Sequence, residues 1–181
     1  MGVANERSIA WGIAEQLSKN GAELIFTYQS ESLKKRIIPL IEKIGCKEIY
    51  QCDVSMDDHH EHSIENVFKK IKKNHSNIDF IVHALAFSDK EELKGRYIET
   101  SRNNFLKTLD ISTFSFTRIA KVSKNLINSD GGSLLTLTYL GAVRTTPNYN
   151  VMGVAKAALE TSVKYLSMDL GTNNIRVNAI S

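Results

Sequence analysis

The chain of 181 residues is 42% hydrophobic and 24% charged, enough to bury one substantial core and too ordinary for a disordered or fibrous protein. Its net charge of +3 is dispersed along helix patterns and does not point to nucleic acid. Cys46 and Cys52 lack CxxC or metal-ligand spacing, and no apolar run approaches the ~18 residues of a membrane span.

In chain order, Ser8 is expected to cap a first helix, with Ile9, Ile13 and Leu17 at helical spacing until Gly21 stops it. A strand over Glu23–Tyr28 follows. Ser30 opens a second helix, which Pro39 should kink or divide before Gly45 ends it. Next come a strand over Glu48–Cys52 and a helix over about Asp58–Asn74, whose Lys69, Lys70, Lys72 and Lys73 read as a solvated face. A strand over Phe80–Ala84 leads into a polar, irregular segment, Ser88–Thr100. A long helix over about Arg102–Asn128, a strand over Ser133–Thr138, a helix over about Asn148–Leu170 and a strand over Ile175–Ala179 complete the chain. Short apolar strands alternating with helices predict an α/β fold with a doubly wound parallel sheet. With two prolines and no linker-like stretch, residues 1–181 read as a single domain. The start carries neither a signal peptide nor a myristoylation signal, since Glu6 stands where Ser or Thr is needed. A cytoplasmic protein with reduced thiols and no membrane association is expected.

The chemistry centres on Tyr149 and Lys156, seven residues apart, with Tyr139 ten residues before Tyr149. On a helix that interval turns through about 700° and sets the two on one face, roughly 10 Å apart. A phenol held near an ammonium can stabilise an oxyanion while the lysine grips a cofactor sugar. Upstream, Gly2-x5-Ser8-x3-Gly12 opens a helix whose N-terminal amides suit a pyrophosphate. Gln29 ends the Glu23–Tyr28 strand, where a dinucleotide fold normally sets an acid on the adenosine ribose. Its amide can bond a 2′-hydroxyl without demanding or repelling a phosphate, although Lys34, Lys35 and Arg36 nearby leave NADPH open. Asp53, closing the next strand, can accept from an adenine amino group while Val54 packs on the ring. His59, His60 and His62 would point in about three directions on a helix and lack completing ligands, so no metal is expected.

The stretch Leu134–Lys156, with its Tyr139-Leu140-Gly141 and its Tyr-x6-Lys interval, resembles the enoyl-(acyl-carrier-protein) reductases of bacterial fatty-acid synthesis, a branch of the short-chain dehydrogenase/reductase superfamily. The likeness continues through Gly2-Val3-Ala4, Ser8-Ile9-Ala10-Trp11-Gly12, Phe26-Thr27-Tyr28-Gln29, Cys52-Asp53-Val54, His83-Ala84-Leu85-Ala86-Phe87 and Arg176-Val177-Asn178-Ala179-Ile180-Ser181. It implies reduction, with NADH, of the trans-2 double bond of an enoyl thioester on acyl carrier protein. Tyr149 would meet the thioester oxygen, Tyr139 would brace the pocket or the same oxygen, and Lys156 would hold the nicotinamide ribose. The resemblance also assigns Gly2 to the adenosine side, Ser8 and Ile9 to phosphate, Leu85 to the cofactor, and Phe87 and Ser88 to the border of the acyl pocket. Ala86 stands where many relatives have glycine, and Asp110, near a superfamily asparagine, receives no catalytic role. A full-length homotetramer is implied.

Met1 stands directly before the glycine turn, and Ser181 before the family's nicotinamide-covering loop. The first strand and the C-terminal substrate-covering region are thus expected to be missing. Residues 1–181 alone are expected to associate and to lack activity. Two other readings stay open. One is a ketone or alcohol reductase, such as a ketoacyl reductase, with Thr136 as hydroxyl partner thirteen residues before Tyr149. The other is a non-catalytic piece of a dinucleotide fold. The Tyr-x6-Lys interval and Tyr139 argue against the first.

Overall fold

Five short strands form two parallel sheets in a computed structural model that describes all 181 residues. Each sheet belongs to one of two units, Met1–Ile71 and Lys72–Ser181.

In the first unit, α1 (Ile9–Lys19) precedes β1 (Phe26–Tyr28), α2 (Glu31–Lys43), β2 (Ile49–Gln51) and the start of α3 (Ile64–Asn74). β1 and β2 pair in parallel from Phe26↔Ile49 to Tyr28↔Gln51. All three β1 residues are buried, as in a strand covered on both faces. Phe26, Ile37, Ile41, Ile64 and Val67 make the core.

Several local expectations are corrected here. Ser8 and Ser30 occupy the N-cap positions of α1 and α2, but neither side chain caps. Ser8 Oγ donates to Asn5 O at 2.7 Å instead, and Ser30 Oγ lies 3.0 Å from Ser32 Oγ. Pro39 lies within an unbroken α2, where burial of Ile37, Leu40 and Ile41 outweighs a proline cost of about 3 kcal/mol. α3 begins at Ile64 rather than near Asp58, because Asp57 Oδ1 folds the preceding residues by accepting from the His59 and His60 amides, both at 3.2 Å. His59, His60 and His62 therefore lie in a turn, not on a helix.

The second unit contains β3 (Phe80–His83), α4 (Arg102–Leu109), α5 (Ser115–Ser123), β4 (Gly132–Leu137), α6 (Asn150–Gly171) and β5 (Ile175–Ile180). Its strands lie in the order β3-β4-β5, all parallel, with His83 opposite Thr136 and Leu137 opposite Ile180. The helix expected from Arg102 to Asn128 is interrupted by a π-helical turn at Asp110–Phe114 and ends at Ser123. Phe116, Ile119, Leu134, Val151 and Leu159 are fully buried, and each contributes about 1.5–3 kcal/mol. α6 packs against β5.

One fully buried residue in this unit is polar and ionisable. His83 Nε2 lies 2.8 Å from Ser115 Oγ and its Nδ1 lies 2.9 Å from Thr136 Oγ1. Ser115 gives its own proton to Ile111 O, so it must accept from Nε2–H. Nδ1 is then the lone-pair nitrogen, 2.9 Å from Thr136 Oγ1, whose one proton it shares with the His83 carbonyl 3.2 Å from the same hydroxyl. The ring is neutral and satisfied on both sides. Burial, with the Lys156 ammonium adding to it, lowers the His83 pKa from 6.5 to about 3.

The unfolded chain, with an ordinary histidine, takes up a proton before the folded one does. His83's contribution is therefore complete above pH 6.5 and is lost as pH falls from 6.5 toward 3. Replacing His83 with Gln should flatten the acid side of the stability profile by up to ~1.4 kcal/mol per pH unit in that window, as read by urea unfolding. Parallel profiles for the two proteins would contradict the assignment.

Candidate active site

Tyr149 does not sit inside α6. It is the residue before the helix, with φ −118° and ψ −27°, so the two-turn geometry expected from a continuous helix does not apply to it. Its neighbours Asn148 and Asn150 have φ 58° and 32°, the left-handed region that asparagine tolerates. Asn150 turns this strain to use: its Nδ2 points to the carbonyls of Glu92 (3.3 Å), Lys94 (3.4 Å) and Gly95 (3.4 Å). The segment before α4 is thereby tied to the residue beside the tyrosine.

Tyr139 and Tyr149 are brought together. Their ring centroids lie 4.9 Å apart with planes tilted by 58°, within the range of favourable aromatic pairs. Gly141 makes the approach possible, since a Cβ there would lie 2.5 Å from Tyr149 Cδ1 and 2.7 Å from Cε1. Tyr139 is 44% exposed while Tyr149 is half-buried. Burial, and then Tyr139, raise the Tyr149 pKa from 10 to about 12. At neutral pH this phenol is a hydrogen-bond donor and not a base.

Lys156 lies inside α6 and is 5% exposed. Its Nζ donates to Leu137 O, the last residue of β4, at 2.6 Å. Burial pushes its pKa down. One of its three N–H bonds goes to that carbonyl and two stay available for a hydroxylated ligand. Thr138, next along, donates to Glu160 Oε1 at 2.6 Å, a second tie between the end of β4 and α6.

The segment after β3 contains Leu85, which is partly exposed, and Phe87, 44% exposed with Lys107 Nζ 4.6 Å above its ring. Ser88 is placed differently from its expected role at an acyl pocket. It is 7% exposed and bonded to Asn104 and Thr108, with Thr108 Oγ1 donating at 2.9 Å. Its hydroxyl shapes the loop from within. Thr136, the hydroxyl that a ketone reductase would turn to substrate, is fully buried against His83.

In the first unit, Gly2 adopts φ 99° and leads through buried Val3 to Ser8. With no side-chain cap on α1, and the Trp11 amide already on Ser8 O at 2.9 Å, the amides of Ile9 and Ala10 are left for another acceptor. Ile9 is 67% exposed beside them. Gln29 and Asp53, at the carboxyl ends of β1 and β2, are linked: Gln29 Nε2 donates to Asp53 Oδ2 at 2.9 Å. Burial raises the Asp53 pKa, but bonds from the Ser55 hydroxyl and amide and from Gln29 outweigh it and hold the carboxyl below its usual value. Val54 is 7% exposed, mostly core, and could offer a ligand only an edge.

Asn150, Asn104 and Thr113 belong to the site's framework and were missed in the sequence. The Asn-Tyr-Asn triplet carried a readable signal, since asparagine on both sides of a residue suggests left-handed turns. Asn104 and Thr113 carried none, because their partners lie 16 and 42 residues away.

Substituting Gly141 with Ala should displace the Tyr149 ring and lower stability by about 1–3 kcal/mol in urea unfolding. Gly12→Ala, in α1 with nothing within 4 Å of the new Cβ, should be neutral or stabilising. Equal effects of the two changes would contradict the ring contact.

Known proteins resemble this chain along its whole length. It is 55% identical over 181 residues to enoyl-(acyl-carrier-protein) reductase (NADH) 1 of Rhizobium meliloti, covering 100% of the chain and 65% of that relative. It is 49% identical to enoyl-(acyl-carrier-protein) reductase (NADPH) of Staphylococcus aureus, covering 100% of the chain and 70% of the relative. The crystal structure of the reductase from Anaplasma phagocytophilum in complex with NAD aligns with a TM-score of 0.93 at 54% identity, over 99% of this chain and 67% of that one. The fold is therefore Rossmann-like α/β, and the chain spans about two thirds of the length of these relatives. The family model described as enoyl-(acyl carrier protein) reductase matches residues 2–181, and the chain belongs to that family.

Proposed function

We propose that this protein is the catalytic part of an oxidoreductase that reduces the trans-2 double bond of an enoyl thioester carried on acyl carrier protein, using NADH, in fatty-acid elongation. The observation that carries this is the tyrosine pair: a phenol raised to about 12, packed 4.9 Å from a second tyrosine ring and next to a helix holding a buried lysine. Reduction of a double bond conjugated to a thioester needs a donor for the oxygen on which charge gathers. Tyr149 is a donor throughout the neutral range. A ketone or alcohol reductase would also use a tyrosine donor, but together with a hydroxyl partner facing substrate. Burial of Thr136 against His83 weighs against that reading.

In each unit taken by itself, the residues fit one part of a dinucleotide. In the first, the uncapped α1 amides suit a pyrophosphate, Gly2 allows close approach, and Gln29 and Asp53 present an amide and a carboxylate suited to an adenosine ribose and amino group. In the second, Lys156 would hold the nicotinamide ribose hydroxyls, with Leu85 beside the cofactor. When bound, NADH would supply the hydride for the β-carbon, and a proton taken up at the α-carbon would complete the saturated thioester. Tyr149 steadies the thioester oxygen, Tyr139 braces it, and Phe87 borders the acyl chain. Cytoplasmic placement belongs to the same proposal; no helix is long and apolar enough to cross a membrane. A homotetramer of the full-length protein is part of the same proposal.

Tyr149→Phe and Lys156→Ala should differ in kind. The first removes a donor and should lower kcat by roughly 10²–10³ with NADH affinity little changed. The second should weaken NADH binding. Near-normal kcat and affinity in both variants would refute the assignment.

Cofactor choice is set by Gln29, with no arginine beside it. On a crotonyl thioester a full-length version should give the higher kcat/KM with NADH. A clear preference for NADPH, the cofactor named for the Staphylococcus aureus relative, would overturn this.

A further inference from the structure

We propose that the π-helical turn Asp110–Phe114 is the positioning device of the site, and that Thr113 is the residue that sets the Lys156 turn of α6. The proposal rests on the reading of Lys156 as the cofactor-holding group.

π-helical residues are well under 1% of those in globular proteins, and they concentrate at functional sites. Here the turn sits between α4 and α5. Three hydroxyls on it or just after it, all buried, leave in three directions. Ser112 Oγ clamps the backbone of Phe87, accepting from its amide at 3.0 Å and donating to its carbonyl at 3.1 Å. Thr113 Oγ1 donates to Ala155 O at 2.8 Å. Ser115 Oγ receives His83, as described above.

Ser and Thr inside a helix ordinarily bond back to their own preceding turn. Ser115 does so through Ile111 O, but Ser112 and Thr113 reach out to other elements. The carbonyl that Thr113 reaches is inside α6, so it already has an α-helical acceptor role through the i to i+4 pattern. Thr113 is therefore not needed to satisfy it. Valine would fill the same space, so packing alone does not call for a hydroxyl. What the bond does is fix α6 one residue before Lys156, whose Nζ is fixed in turn to Leu137 O. A hydroxylated ligand on Lys156 would then meet an ammonium set from two sides.

The test compares Thr113→Val and Thr113→Ser in the whole chain by two readouts. The first is the rate at which a lysine-directed reagent labels Lys156, measured by mass spectrometry relative to exposed Lys164 on the same helix. Thr113→Val should raise that ratio roughly fivefold, the population change that loss of one hydrogen bond allows. Thr113→Ser should return it to within about twofold of wild type. The second is NADH affinity by fluorescence titration, which should weaken in the valine variant and recover in the serine variant.

A Thr113 that served stability alone would lower the melting temperature and leave the labelling ratio unchanged, and that result overturns the proposal. So does a serine variant labelled as fast as the valine one. If wild type fails to bind NADH, the cofactor reading falls while the labelling ratio still decides the positioning role. If Thr113→Val does not fold, Thr113→Ala against Thr113→Ser makes the same comparison.

Discussion

The crossing of β4 and α6 in the candidate site turns on one buried cation. Lys156 is 5% exposed, and its ammonium has left most of its water. An unpaired charge in such a place is too costly to keep. The carbonyl of Leu137 meets it at 2.6 Å. That bond requires β4 to end where it does and α6 to cross its end with Lys156 facing inward. Thr138 on Glu160 and Thr113 on Ala155 fix the same crossing from either side. The buried histidine follows from the same constraint: next to an ammonium and out of water, His83 stays neutral, and its two nitrogens are matched to Ser115 and Thr136.

The tyrosine is held by a different physics. Tyr149 stands in the turn before α6, between two asparagines in left-handed conformations, and its ring lies over Gly141. Backbone strain of this sort persists only where the surroundings determine it. Here the surroundings are a tilted ring contact with Tyr139 and an asparagine side chain reaching three carbonyls. The lysine is thus set by the helix, whereas the tyrosine is set by the turn. The two catalytic candidates can be perturbed separately for that reason.

The sequence carried the alternation of strands and helices, and all five strands fall within the expected stretches or one residue beyond them. Residues 23–25 and Ala84 drop out of their strands because no ladder partner reaches them. Tyr139, Tyr149 and Lys156 were legible because they fall in one short stretch. The caps were not legible: a serine before a helix looks the same whether its hydroxyl turns to the helix or, like Ser8, back to Asn5 O. The π turn could not be read either, since the bonds compensating it run to Phe87, Ala155 and His83 in distant parts of the chain. Thr136 and Ser88 share that obstacle. Both are hydroxyls at positions suggestive of substrate contact, and both are withdrawn by partners 16 to 53 residues away.

The central claim is that Lys156 is a desolvated ammonium held by a single backbone carbonyl. NMR titration of the lysine side chains, with Lys156 assigned by its loss in Lys156→Ala, reads this directly. The account predicts a Lys156 midpoint below the 10.5 of an exposed lysine, in line with burial as the cause of its shift. A midpoint at or above that of the surface lysines would mean an ammonium in water or paired with an acid, and would contradict the account.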